Sequence, residues 1–370
     1  MLINGNALHI PLADQSIQCC VTSPPYWGLR DYGVGGQLGL EQTPEEYVEN
    51  MVNVFREVKR VLRDDGTLWL NLGDSYAGNP GNGRGGGRWF DGGMPTLQGM
   101  DKKPAGLKPK DLVGIPWRVA FALQADGWYL RNDIIWHKPN PMPESVTDRC
   151  TKSHEYIFLL TKNAKYYYDN EAVKEPHTTT GKPRNKNKEN RNDCLPVGDR
   201  FSEGERLWYG NTGRNKRTVW TVTTKPYSGA HYATFPPDLI DDCIKAGTSE
   251  KGKCPECGTP WERVTETKGS TYNKRKDSGV EVVVYTTGWQ PGCKCGHDPI
   301  PCIVLDPFVG SGTTCLVARD LGRESVGFDL NLDYLVNNAR VRLELDKLEY
   351  WCDRGPEVKG NFEGLPMFTD

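Results

Sequence analysis

Apolar residues recur along this chain at two periods, and the places where the period changes outline the elements. Residues 17–22, Ile-Gln-Cys-Cys-Val-Thr, are a short apolar run predicted as a strand, and the run ends in Ser23-Pro24-Pro25-Tyr26. Two consecutive prolines can neither continue a ladder nor enter a helix interior, so the strand stops there. Over 44–62 the spacing is helical: Tyr47, Met51, Val54, Val58 and Val61 or Leu62 share one face. Thr43 is placed to cap that helix at Pro44, and Asp64-Asp65-Gly66 to end it. Residues 67–72 read as a second strand, helix and strand resume over 112–136, and 155–161 reads as a further strand. A proline-started helix is expected over 234–246, closed at Gly247. The strongest unit lies near the end: strand 302–305, turn 306–312, helix 313–321, strand 325–328 ending on Asp329, and a helix from 334 to about 345. This rhythm is α/β. No internal repeat is visible.

Composition narrows the class. The 370 residues can bury a substantial core, and no unbroken apolar run is long enough to cross a membrane. Met1-Leu2-Ile3-Asn4-Gly5-Asn6 lacks a basic stretch followed by an apolar core, so no secretion signal is expected and the setting expected is the cytoplasm of a prokaryotic or phage-infected cell. A formal charge of −2 excludes a global polycation; any nucleic-acid surface must be a local patch. Such a patch exists between Lys174 and Arg217, where eleven Lys or Arg face six Asp or Glu. Tyr167, Tyr168, Phe201, Trp208, Tyr209 and Trp220 lie in or beside it. It reads either as a solvated loop or as an arm that joins phosphate contacts to aromatic stacking. The eight glycines within 78–93, with Arg84 and Arg88, read as a plain loop or as a lid.

The turn 306–312, Asp-Pro-Phe-Val-Gly-Ser-Gly, joins a strand to a helix, where glycines admit a ligand close to the backbone and the helix start offers free N–H groups. No Lys-Ser/Thr pair follows, which excludes a phosphate-cradling NTPase loop. Asp306 opens the turn and Asp329 ends the next strand, so both acids are expected outside the carboxyl ends of neighbouring strands, where open α/β sheets bind ligands. Two carboxylates there suit a ligand with hydroxyls and positive charge. The ribose diol, ammonium and sulfonium of S-adenosyl-methionine fit.

Ser23-Pro24-Pro25-Tyr26 answers a different need. The lone pair of an exocyclic amino nitrogen is delocalised into its base, which makes it a poor nucleophile. Ser23 Oγ and the Pro24 carbonyl are acceptors that favour a pyramidal, attacking nitrogen, the prolines hold them at low entropic cost, and Tyr26 offers a face for an unstacked base. The bland alternative is a rigid strand end with an exposed aromatic.

With both motifs in this order, the chain resembles the amino-methylating DNA methyltransferases, the N4-cytosine and N6-adenine family, in the order of the beta subgroup. Asp306-Pro307-Phe308-x-Gly310-Ser311-Gly312-Thr313 is similar to the family's cofactor loop and Ser-Pro-Pro-Tyr to its catalytic loop. The resemblance implies a Rossmann-like S-adenosyl-methionine-dependent methyltransferase sheet with helices on both faces. It makes 1–165 the catalytic half, 166–230 a target-recognition insertion, 231–250 a core helix near the cofactor, 299–348 the cofactor half and 349–370 a tail. Phe235 and Pro236 match the segment that closes over the methionine end of the cofactor. Relatives carry Gly-Asp where this chain has Gly5-Asn6, which puts a cofactor contact from Asn6 in question. Ser at the head of the catalytic loop is the form more frequent in the cytosine-N4 group, so cytosine is preferred over adenine. The implied partners are double-stranded DNA and a cognate restriction endonuclease, with the enzyme a monomer or homodimer. Methylation of RNA bases or protein amides, and a DNA-binding protein with a dead methylase core, are the competing readings.

Four of the twelve cysteines cluster: Cys254 and Cys257 form a knuckle, and Cys293 and Cys295 a tighter pair. Four thiolates suit a tetrahedral structural zinc, with His297 a spare ligand, and the span 251–298 reads as a zinc-ribbon-like insertion with a strand-like run over 282–286. Free surface thiols or a redox pair are the alternatives. Cys19, Cys20 and Cys302 sit in apolar runs and are expected as buried packing residues.

Overall fold

The computed structural model describes residues 1–77, 106–175, 213–225, 234–268 and 283–345. The glycine-rich 78–93 segment, most of the basic stretch with Phe201, Trp208 and Tyr209, and the tail from 349 lie outside these residues.

An eight-stranded sheet organises the chain. Its strands are β1 (Leu2–Asn4), β2 (Ile17–Thr22), β3 (Leu62–Leu72), β4 (Tyr129–His137), β5 (His154–Thr161), β6 (Val219–Thr221), β9 (Ile303–Asp306) and β10 (Glu324–Asp329), in the spatial order β1-β10-β9-β2-β3-β5-β4-β6. Every neighbouring pair is parallel except the two that involve β5. A separate antiparallel hairpin pairs β7 (Glu262–Lys268) with β8 (Val283–Gln290).

Helices cover both faces, as parallel strands require. Successive residues of β2, β3, β5 and β9 alternate between two apolar clusters. Cys20, Leu68, Leu70, Phe158, Leu160, Ile303 and Leu305 face helices α1 (Pro44–Val61) and α2 (Ile115–Ala125). Cys19, Val21, Trp69, Ile157, Leu159 and Val304 face α3 (Pro237–Gly247) and α4 (Thr313–Asp320). Tyr47, Met51, Val54 and Val58 line the buried stripe of α1, and Thr43 with Glu46 forms a capping box at its start. Cys19, Cys20 and Cys302 are buried packing thiols.

The sequence reading departs from the structure at four places. Strand β3 begins at Leu62, directly after α1, and absorbs Asp64-Asp65-Gly66 through a bulge instead of ending there. Gly66 permits it: a Cβ would lie 2.8 Å from the Leu62 side chain and 2.9 Å from the Gln18 carbonyl. Strands β1 and β6 have three residues each, too few to show a period. The final helix starts at Leu332 and widens into a π-helical turn over Leu335–Ala339. The flanks of the expected recognition insertion also belong to the core. Tyr167 N bonds Asp65 O at 2.8 Å and Asp169 N bonds Ala246 O at 2.9 Å, while β6 completes the sheet edge with Trp220 buried. No helix among the described residues is long and apolar enough to cross a membrane.

Candidate active site

The site forms where β2 and β9 lie side by side, with Cys20 level with Leu305. Parallel pairing brings their carboxyl ends to one edge, so Ser23 and Asp306 line the same cleft although the chain separates them widely. Thr22 Oγ1 donates to Asp306 Oδ1 at 2.6 Å, Thr314 Oγ1 donates to Oδ2 at 2.6 Å, and the Phe308 N–H donates to Oδ1 at 3.0 Å. Three of the roughly four acceptor directions of the carboxylate are thus filled, and one at Oδ2 is left for a ligand. Burial pushes the acid up to about 6.

Asp329 ends β10 beside it. Its oxygens accept from Gly310 N at 3.0 Å and Asn331 N at 2.8 Å, and burial again raises the acid. The Asp-Pro-Phe turn closes tightly on the last helix: a Cβ on Gly312, whose φ is +80°, would lie 3.1 Å from the Ala339 Cβ. Only glycine meets both demands.

A cleft of about 1010 Å³ opens at this edge. Of the residues named from sequence, Ser23, Pro25, Phe235, Asp306, Pro307, Phe308, Gly310, Ser311, Thr313 and Asp329 line it. Pro24, Tyr26, Pro236 and Gly312 do not. Asn6 does line it, next to Gly5. Tyr32, Gln37 and Tyr334 were not foreseen. Tyr32 and Tyr334 meet edge-on across the cleft with ring centroids 6.3 Å apart, and Gln37 Oε1 accepts from the Tyr32 N–H at 2.8 Å. Loop residues of this kind carry no periodic signal. The lining suits S-adenosyl-methionine in kind: two carboxylates able to accept from an ammonium and ribose hydroxyls, and aromatic side chains able to face an adenine.

Tyr26 is anchored. Its hydroxyl donates toward Glu155 Oε2 at 2.8 Å and Asn71 Oδ1 at 3.1 Å, and accepts from Ser23 Oγ at 3.3 Å. Glu155 is itself bound by the Lys138 ammonium. Burial, followed by the Glu155 charge, pushes the phenol well up, so it remains a hydroxyl. The ring lies against Gly73, where a Cβ would come within 2.5 Å of Tyr26 Cε2. Pro25 is held from below by Tyr47, whose hydroxyl donates to the Pro25 carbonyl at 2.9 Å. Sequence reasoning missed Glu155, Lys138, Asn71 and Gly73. The only signal was polar residues at the ends of predicted strands.

The four cysteines converge: the sulfurs of Cys254, Cys257, Cys293 and Cys295 all lie within 4.8 Å of one another. Tetrahedral zinc with sulfur at about 2.3 Å sets its ligands roughly 3.8 Å apart, close to this arrangement. Hydrogen bonding with Thr259 lowers the Cys257 thiol, while Cys257 in turn raises Cys293 and Cys295. His297 lies outside the cluster and pairs with Glu256 at 2.9 Å. The cluster sits at the base of the β7–β8 hairpin and docks on the core. Arg63 donates to the Cys257 carbonyl at 2.6 Å, and Arg263 grips the buried Asp169 at 2.8 Å. In the described part of the basic stretch, Arg217 pairs with Glu175 and Lys216 with Asp242, so these charges serve the fold.

Known proteins are similar to this chain in sequence and in fold. A family model described as DNA methylase matches residues 17–254 and 302–339, leaving out most of the hairpin segment. The Type II methyltransferase M.XycI of Xanthomonas campestris pv. cyanopsidis is 42% identical over 353 residues, covering 94% of this chain and 87% of its own. M.SmaI of Serratia marcescens is 42% identical over 327 residues, covering 87% and 83%. Among solved structures, the PvuII DNA methyltransferase (cytosine-N4-specific) superposes with a TM-score of 0.52 at 16% identity, covering 92% of this chain and 85% of that one, a likeness of fold.

Proposed function

This chain belongs to the DNA methylase family, which transfers methyl groups from S-adenosyl-methionine to the N4 of cytosine or the N6 of adenine in DNA, and on that premise we propose that it methylates the N4 amino group of a cytosine turned out of duplex DNA. The observation that carries the reading is that Ser23 and Asp306 line one cleft, with Thr22 bonded to Asp306 and Tyr26 held by Ser23 and Glu155. Serine at the head of the catalytic loop supports cytosine.

The residues divide the work. Asp306 takes the cofactor ammonium through the free direction on Oδ2, and Asp329 takes the ribose hydroxyls. Phe308, Gly310, Ser311 and Thr313 shape the floor, and Phe235 covers the methionine end. Bound S-adenosyl-methionine supplies an electrophilic methyl group on a sulfonium. Ser23 Oγ and the Pro24 carbonyl accept the N–H groups of the target and turn its lone pair out of the ring plane, while Tyr26 carries the face of the base. Positioning supplies most of the rate, because the sulfonium needs no further activation.

The cysteine cluster holds a structural zinc that folds the 251–298 insertion. The basic 176–212 stretch contributes to DNA recognition, and a restriction endonuclease of the same specificity is the natural partner. The test is methylation of mixed-sequence duplex DNA with a labelled cofactor, followed by nucleoside mass analysis. N4-methylcytosine is expected. N6-methyladenine would move the target to adenine, and label in RNA alone would overturn the DNA reading.

A further inference from the structure

The loop from β4 to β5 carries a feature that neither the cofactor cleft nor the zinc cluster uses. It leaves the sheet after His137 and returns at His154, so Lys138 and Glu155 stand at its two roots, joined to each other and, through Glu155, to Tyr26. Between them runs Pro139-Asn140-Pro141-Met142-Pro143-Glu144. Met142 is 75% exposed, the most exposed large apolar side chain among the described residues.

The backbone around it is stiff. Pro141 and Pro143 have fixed φ, and a residue that precedes proline is confined to extended conformations, so Met142 is presented on a rod. Both ends are tied down. Asn140 Oδ1 accepts from Thr224 N at 3.0 Å and its Nδ2 donates to Thr224 O at 3.2 Å. Glu144 Oε2 accepts from Arg149 Nη1 at 2.6 Å, and Arg149 lies 4.0 Å over the Tyr76 ring. At the far root the Lys152 ammonium is buried, with Asp74 and Glu155 the leading opposing charges acting on it. Four residues of extended chain reach at most about 14 Å, so the Met142 backbone stands within that distance of the Lys138 backbone, and the Lys138 side chain is linked through Glu155 to Tyr26.

An enzyme that turns a base out of the helix leaves a hole in the stack, and apolar wedges such as methionine fill such holes. We propose that Met142 enters the DNA stack at the place vacated by the target base. The proposal rests on the base-extrusion reading above. The stiff rod places the side chain beforehand, so little freedom is lost on insertion.

The test compares the full-length enzyme with Met142→Ala and Met142→Leu on two duplexes containing the mapped methylation site. One is fully paired; the other has an abasic site opposite the target base, so that the base is already unpaired. Met142→Ala is expected to lose roughly tenfold in kcat/KM on the paired duplex and to match the wild type on the abasic one. Cofactor affinity and melting temperature should be unchanged, and Met142→Leu should restore the paired activity. Equal activity of Met142→Ala and wild type on the paired duplex overturns the proposal, as does an equal loss on both duplexes. A 2-aminopurine at the target position whose fluorescence does not rise when the wild-type enzyme and cofactor bind overturns the base-extrusion reading itself, and the wedge with it.

Discussion

Thr22 Oγ1 lies 2.6 Å from Asp306 Oδ1, joining the last residue of β2 to the last residue of β9 across 284 positions of sequence. The bond couples the loop proposed to meet the base to the loop proposed to meet the cofactor. A shift of one is transmitted to the other, and transfer between two bound molecules depends on their relative placement.

Asp306→Asn separates the structural from the binding role of this residue. An asparagine can keep the network: its Oδ1 still accepts from Thr22, and its NH₂ can donate to Thr314 Oγ1, which turns its own proton to the Val21 carbonyl 3.3 Å away. The variant should fold, yet lose a charge-assisted contact to the cofactor ammonium of about 1.5–3 kcal/mol, roughly 10- to 100-fold in affinity. Calorimetric titration with S-adenosyl-methionine reads this directly.

The same acid sets opposed pH dependences. Its pKa in the fold, about 6, lies above the ordinary 3.8, so the folded state favours the protonated form. Its contribution to stability is therefore complete below about pH 4 and is lost as pH rises through 6, a change of about 3 kcal/mol. Urea unfolding of wild type against Asp306→Asn at about pH 4.5 and about pH 7.5 should show the difference narrowing at the lower pH. Cofactor affinity runs the other way, because only the carboxylate attracts an ammonium, and it should weaken as pH falls through 6.

Gly73→Ala should damage turnover more than cofactor binding. The added methyl would meet the Tyr26 ring at 2.5 Å and push it from its seat. Overpacking of this kind costs about 1–3 kcal/mol. Single-turnover rates should fall at least about tenfold while the dissociation constant for S-adenosyl-methionine holds. An unchanged rate would mean that the ring position is immaterial.

Glu155→Gln preserves an acceptor for the Tyr26 hydroxyl but strands the Lys138 ammonium, whose side chain is only 19% exposed. Removing one partner of a largely buried pair destabilises by about 3 kcal/mol, so the variant should melt several degrees lower. Adding Lys138→Met should recover part of that loss, a pattern visible in a double-mutant cycle.

Metal analysis should find one zinc per chain, and Cys254→Ser or a strong chelator should release it. Hydrogen exchange is then expected to rise across 254–295, with the β2–β9 core staying protected, because Arg63 and Arg263 join the hairpin segment to the core by polar contacts that can open without disturbing the sheet. Exchange that is indifferent to chelation would exclude a structural metal.

Much of this protein is legible in one dimension. The apolar run at 17–22 had to become a strand and the two prolines had to end it. The helical stripe from Tyr47 to Val58 had to face a core, and the paired cysteines had to serve one centre or none. Each of these follows from a period, a backbone restriction or a spacing within a few tens of residues. The tertiary structure decided what depends on neighbours far apart in sequence. It turned Asp64-Asp65-Gly66 from a stop into a bulge, because Gly66 can approach Leu62 and Gln18 closely. It placed Glu155 and Asn71 on the Tyr26 hydroxyl, 129 and 45 residues away. It drew Trp220 out of the basic stretch and into the core. A periodic pattern reports which face of an element meets apolar surroundings. It does not report which element supplies them, and hydrogen-bond partners are chosen only when the strands have found their order.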